Sequence, residues 1–183
     1  AIAAAFGVAA VSDSLIYLAL QQGRGMPVAW IPLLFVATPA SFSVWSWPLG
    51  RLADRVGRGP VVIGGYVALL AAYAGLLVPA SAPAAAGAVV VFLGAYYAAT
   101  DGVLTALAGS LLPRDLRASG LAVVGTCHDV GRLAASVIFG WVWAMSTADA
   151  AARVFLVLLA VVLLGAAPGL LRQEGDACDA VTL

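Results

Sequence analysis

The sequence predicts an all-α, polytopic membrane protein of six spanning helices built as a 3+3 inverted repeat. Three observations carry that prediction. The first is composition: 63% of the residues are hydrophobic and only 10% are charged, against about 25% charged in soluble domains. Mean hydropathy is +1.05 and lysine is absent. A chain of 183 residues cannot hide that much apolar surface from water, so its solvent is lipid. The second is segmentation. Charges, prolines and glycines mark six apolar runs, at about 1–20, 28–49, 61–79, 84–111, 118–145 and 153–171. A spanning helix needs about 20 such residues to cross about 30 Å of hydrocarbon. The third is internal similarity. "SDSLIYLAL" (12–20) matches "TDGVLTALA" (100–108) at an offset of 88, close to half the chain. Both put an aspartate after a hydroxyl residue and before an apolar run.

The connections "QQGRGMP", "GRLADRVGR", "PASAP", "LPRDLR" and "STADAA" are short, so the crossings alternate in direction and both ends lie on one side. The tail from Arg172 to Leu183 is polar and acidic and is expected to leave the bundle. Arginines set the orientation. Arg51, Arg55, Arg58, Arg114, Arg117 and Arg172 fall on one side, Arg24 and Arg153 on the other, which makes the first side cytoplasmic. Trp30, Trp45, Trp47, Trp141 and Trp143 lie near segment ends, where interfacial aromatic belts sit. Net charge is zero, so nothing points to nucleic acid. Cys127 and Cys178 lack metal-ligand spacing and read as unpaired thiols; no metal and no cofactor is implied. The chain begins at Ala1 with no positive n-region, so the first run is not a signal peptide and the sequence reads as a piece of a longer one.

The runs differ in kind. The third and sixth carry no charge over 61–79 and 154–171; apolar all round, they read as peripheral and lipid-facing. The second is interrupted by Pro32 and Pro39 and carries Thr38, Ser41, Ser43 and Ser46. The fifth has Gly131 with Ala135, and Ser136 with Gly140, a spacing that permits close helix contact. Ionisable residues inside spans are Asp13 in the first, Asp101 in the fourth, and His128, Asp129 and Arg132 in the fifth. A central Asp or Arg costs about 2.5–3.5 kcal/mol on insertion scales, so each is expected to face the bundle interior or water. Asp129 and Arg132, three apart, share a helix face and are expected to pair. His128 reads either as a proton relay or as an interior histidine satisfied by its neighbours.

The stretch "GRLADRVGR" (50–58) gathers three of the nine basic residues around one aspartate. Gly50 and Gly57 allow a tight turn, Pro60 suits the first turn of a helix, and Asp54 can accept from a helix start or pair with an arginine. The stretch resembles the cytoplasmic loop motif of the major facilitator superfamily, Gly-x-Leu-Ala-Asp-Arg-x-Gly-Arg followed by Arg or Lys. Gly50, Leu52, Ala53, Asp54, Arg55, Gly57 and Arg58 match. Gly59 stands where a second basic residue is usual, which puts one of the motif's charge contacts in question. "YYAATDGVLTALAGSLLPRDLRASGLAVVG" and "DSLIYLALQQ" are similar to the second half of bacterial members.

The resemblance implies the C-terminal six-helix half of a twelve-helix carrier, seated in a bacterial inner membrane beside an N-terminal half. The motif would act as a latch that closes in one state and opens in another; a plain positive anchor is the alternative. The first and fourth helices would line the central cavity, making Asp13 and Asp101 the leading substrate- or proton-site residues. The implied function is secondary transport of a small molecule by alternating access, with proton-coupled efflux of a drug or metabolite as the specific expectation. A non-transporting membrane scaffold with a degenerate carrier fold is the competing reading. An intramembrane enzyme using "CHD" (127–129) is disfavoured, because adjacent helix residues point about 100° apart. Orientation is testable in a background lacking the native cysteines. Cysteines placed at Gly25 and Thr147 should react with an impermeant reagent in intact cells, and one at Gly57 only after permeabilisation; external labelling at Gly57 would reverse the topology.

Overall fold

The computed structural model describes residues 7, 10–79, 81–111 and 117–179, with side chains placed up to 101 and from 118 to 165. Among them are six α-helices and no strand: α1 (Asp13–Arg24), α2 (Ile31–Val56), α3 (Arg58–Leu77), α4 (Ala82–Leu111), α5 (Arg117–Met145) and α6 (Ala148–Asp179). A short 3₁₀ turn, Val28–Trp30, leads into α2. The helices α2 to α6 each contain a stretch long and apolar enough to cross a membrane. Most of the first half of the expected opening span, the loop holding Arg114 and residues 180–183 lie outside the described residues. Helix α6 continues past Leu171 to Asp179, so most of the polar stretch read as a tail extends the last helix.

Helix α2 runs unbroken through the segment expected to be interrupted. Pro32 sits in its first turn, where the missing N–H would have had no intrahelical partner anyway. Pro39 and Pro48 lie inside the helix. Hydroxyls occupy carbonyls in this stretch: Ser43 Oγ donates to the Pro39 carbonyl at 2.9 Å and Ser46 Oγ to that of Phe42 at 2.7 Å. The arginine-rich stretch is therefore not a loop. It is the last two turns of α2 and the first of α3, hinged on Gly57 alone. Gly57 has φ 93° and ψ 163°, a region essentially closed to residues with a Cβ. Arg51 lies over the Trp47 ring, 3.9 Å from its centroid, so the aromatic belt and the basic cluster meet at this end of α2.

The expectation for the third apolar run is overturned. Nine of the 20 residues of α3 are buried, against three of the 26 in α2. Val62, Tyr66, Leu69, Tyr73 and Leu76 form a helical stripe that packs against α4 and α6. The sequence pattern misleads because a helix in lipid is apolar on its lipid face and its protein face alike. Small residues and tyrosines mark the packed side instead. Gly65 is the tightest point along α3: a Cβ there would stand 2.7 Å from the Ala99 Cβ on α4. Tyr66 and Tyr96 meet edge-on at 5.3 Å just beside it. Helix α5 joins the bundle along Gly131, Ala135 and Phe139, which are buried, and Phe139 packs on Phe155 of α6 at 5.4 Å.

This packing predicts opposite outcomes for adjacent glycines. Gly65→Ala forces α3 from α4 and should lower stability by about 1–3 kcal/mol. Gly64→Ala, whose Cβ would meet nothing within 4 Å, should be neutral or stabilising by up to about 1 kcal/mol. Thermal unfolding of the two variants in detergent checks this; equal midpoints would contradict the α3–α4 contact.

Candidate functional site

Three helical stripes converge on one cavity of about 270 Å³. Helix α1 contributes Asp13 and Tyr17, and α4 contributes Tyr97 and Asp101. Each pair is four residues apart and so lies on one face. Helix α2 contributes Phe35, Thr38, Pro39 and Phe42, the i, i+3, i+4, i+7 pattern of a single helix face. Tyr17 and Phe35 meet edge-on at 4.9 Å, and the Tyr17 and Thr38 hydroxyls share a hydrogen bond of 2.6 Å. Both hydroxyls are buried and satisfied, which fixes the aromatic wall between α1 and α2.

Behind Asp13 stands Arg132 of α5. Its guanidinium donates to Asp13 Oδ1 at 3.0 Å and also to the Tyr97 hydroxyl. Tyr97 in turn donates to Asp13 Oδ1 at 2.5 Å. Three helices are thus joined through one carboxylate oxygen. The expected Asp129–Arg132 pair is replaced by this arrangement. Sharing a helix face permits an i,i+3 pair but does not select it, and Arg132 reaches inward to a carboxylate on another helix. Asp129 points away: its side chain is 80% exposed and lies 3.8 Å from His128. His128 and Asp129 instead border a smaller cavity of about 190 Å³ between α4 and α5, which Asp101 also lines. Asp101 therefore stands in the wall common to the two spaces.

The backbone before α1 is not helical at Ala10–Ser12, and its N–H groups are held by side chains of other helices. The Val11 N–H donates to the Tyr73 hydroxyl at 2.9 Å. The Ser12 N–H donates to Ser136 Oγ at 3.1 Å, and Ser136 donates onward to the Arg132 carbonyl at 2.8 Å. Buried backbone donors must be satisfied in lipid, so these two hydroxyls are what allow the chain to be irregular here. Asp13 occupies the first turn of α1, where the helix dipole also favours a carboxylate.

Of the sequence-predicted residues, the structure brings together Asp13, Asp101 and Arg132, and sets His128 and Asp129 beside them. Gly50, Asp54, Arg55, Gly57 and Arg58 are apart from the cavity, at the junction of α2 and α3. The reading missed Tyr17, Phe35, Thr38, Phe42, Tyr73, Tyr97 and Ser136. Tyr97 was the findable one: a tyrosine one turn before Asp101 on an apolar helix needs a polar partner.

A bundle of helices long and apolar enough to cross a membrane, with an open, partly charged cavity among them, is the architecture of a membrane transporter. The profile of the Major Facilitator Superfamily matches residues 1–136, and the chain belongs to that superfamily of membrane transporters. No curated protein and no solved structure matches it significantly.

The ion pair makes a quantitative prediction. Asp13→Asn and Arg132→Gln should each destabilise by about 1–3 kcal/mol, less than the ~3–5 kcal/mol of a fully buried pair, because the side chains keep 21% and 29% exposure. The double variant should be less destabilised than the sum, with a coupling of about 0.5–3 kcal/mol. Denaturation in detergent micelles reads the cycle, and strict additivity would contradict the pairing.

Proposed function

We propose that the chain is one six-helix half of a secondary active carrier that works by alternating access, with Asp101 as the proton- and substrate-responsive group. The observation that supports this most is the placement of Asp101 in the wall shared by two cavities. A carboxylate there is costly when ionised and desolvated, and cheap when protonated or paired with a bound cation. Proton-coupled efflux across a bacterial plasma membrane is the specific form of the reading. The junction of α2 and α3 lies on the cytoplasmic side in this reading, where Arg51, Arg55 and Arg58 suit the positive-inside bias. Asp54, exposed on the last turn of α2, is the group that engages the other half as a latch. Gly57 gives that junction its sharp reversal.

The test uses the whole carrier in proteoliposomes with an imposed pH gradient and a panel of labelled small cations, anions and neutral metabolites. Wild type should accumulate at least one. Asp101→Asn should abolish pH-driven accumulation while preserving energy-independent exchange, and Asp101→Glu should keep partial coupling. A full gradient formed by the Asn variant removes Asp101 from the mechanism. Accumulation of nothing by the wild type would favour a scaffold.

A further inference from the structure

We propose that the cavity between α1, α2 and α4 binds an organic cation: a protonated or quaternary amine carried on a compact apolar or aryl body. The inference deepens the carrier reading and rests on it only for transport, not for binding. Its first support is charge. The lining holds two carboxylates, Asp13 and Asp101, and no basic side chain. The guanidinium of Arg132 stands behind Asp13, 3.0 Å from Oδ1 on the far side of the wall, so two negative charges face the cavity against one positive charge outside its lining. An anion would enter against that field, and a neutral solute would gain nothing from it.

The second support is the opposite wall. Phe35 and Phe42 project from one face of α2, and Tyr17 stands edge-on to Phe35. Aromatic faces attract a cation most strongly where water is thin, and their apolar area takes the ligand's body. Polar hydroxyls in the same wall are already committed. Tyr17 is bound to Thr38, and Tyr97 donates to Asp13. The site therefore offers carboxylates and ring faces, rather than a spread of hydrogen-bond donors for a sugar or a carboxylic acid. The third support is size. At about 270 Å³, just below the roughly 300–1,000 Å³ typical of small-molecule sites, the cavity has room for a single-ring amine. Asp101, which also borders the space towards His128, is the counter-ion that holds the ligand; Asp13 keeps its guanidinium.

The test is equilibrium binding of tritiated benzyltrimethylammonium to the purified whole carrier in non-ionic detergent. Competitors are neopentylbenzene, which has the same shape without the charge, and phenylacetate, an anion on the same ring. Saturable binding is expected, displaced by unlabelled cation but not by equal concentrations of either competitor. Asp101→Asn should weaken it at least tenfold and Asp101→Glu by only a few fold. Phe42→Ala, which leaves every charge in place, should weaken it by about 2- to 30-fold. It tests the aromatic wall even if Asp101→Asn does not fold. The proposal is overturned if binding is not saturable, if the neutral isostere or the anion displaces the probe as well as the cation does, or if Asp101→Asn and Phe42→Ala both bind as wild type. Cation binding without any flux would sink the carrier reading and leave this one. Accumulation of a non-cationic solute with no cation binding would do the reverse.

Discussion

The contact of Asp13 with Arg132 and Tyr97 is the interaction on which the arrangement of this bundle depends. A lone carboxylate or guanidinium within the membrane is expensive, and each would drag its helix towards water. Joined, they fix α1 against α4 and α5 at one point. That point matters because α1 is short. Its 12 residues rise about 18 Å, less than the hydrocarbon thickness, and Ala10–Ser12 just before it are not helical. The Tyr73 and Ser136 hydroxyls hold the backbone at Val11 and Ser12, and the ion pair holds the side chain next in line. The wall that carries Asp13, Tyr97 and Asp101, and so the cavity itself, follows from these few polar contacts.

Around them α2, α3, α4 and α6 pack along their lengths, and α5 is joined to them more sparsely. Helices α3, α4 and α6 meet through small residues and rings, with Gly65 against Ala99 and the Tyr66 ring against Tyr96. Helices α2 and α5 bury few residues and expose rows of large apolar side chains, among them Val36, Val44, Val130, Leu133 and Val137. Close packing resists small displacements, whereas helices with few buried contacts shift at lower cost. The cavity is walled on one side by α2 and on the other by α4, which approach so closely that a Cβ at Gly94 would stand 2.5 Å from the Ser41 Cβ. The same helix α2 ends in the Gly57 hinge, which links the cavity wall to the arginine-rich junction within one rigid element.

Much of this was legible in the sequence. The six apolar runs, the motif at 50–58 and the interest of Asp13 and Asp101 all follow from composition, spacing and the cost of charge in lipid. Three things were not. Which helices pack centrally could not be read from hydrophobicity, because lipid and protein interiors are equally apolar; α3 looked peripheral, yet nine of its 20 residues are buried. The partner of Arg132 could not be read from spacing, because Asp129 on its own helix and Asp13 on another satisfy the same chemistry. The α2 wall of the cavity hid in plain sight: Phe35, Thr38 and Phe42 form a stripe, but in an apolar helix a stripe of rings carries no contrast. Polar atoms on otherwise apolar helices were the better guide, and Tyr73 and Tyr97 are where that signal was strongest.

The central claim is that side chains of α3 and α5 hold the irregular backbone ahead of α1, and hydrogen exchange measures this directly. In the protein reconstituted in a bilayer, the amides of Val11 and Ser12 should be protected although they lie outside any helix. Tyr73→Phe should release Val11 by removing its acceptor, while the amides of α3 and α4 keep their protection. Rapid exchange at Val11 and Ser12 in the wild type, or protection unchanged in Tyr73→Phe, would contradict the account.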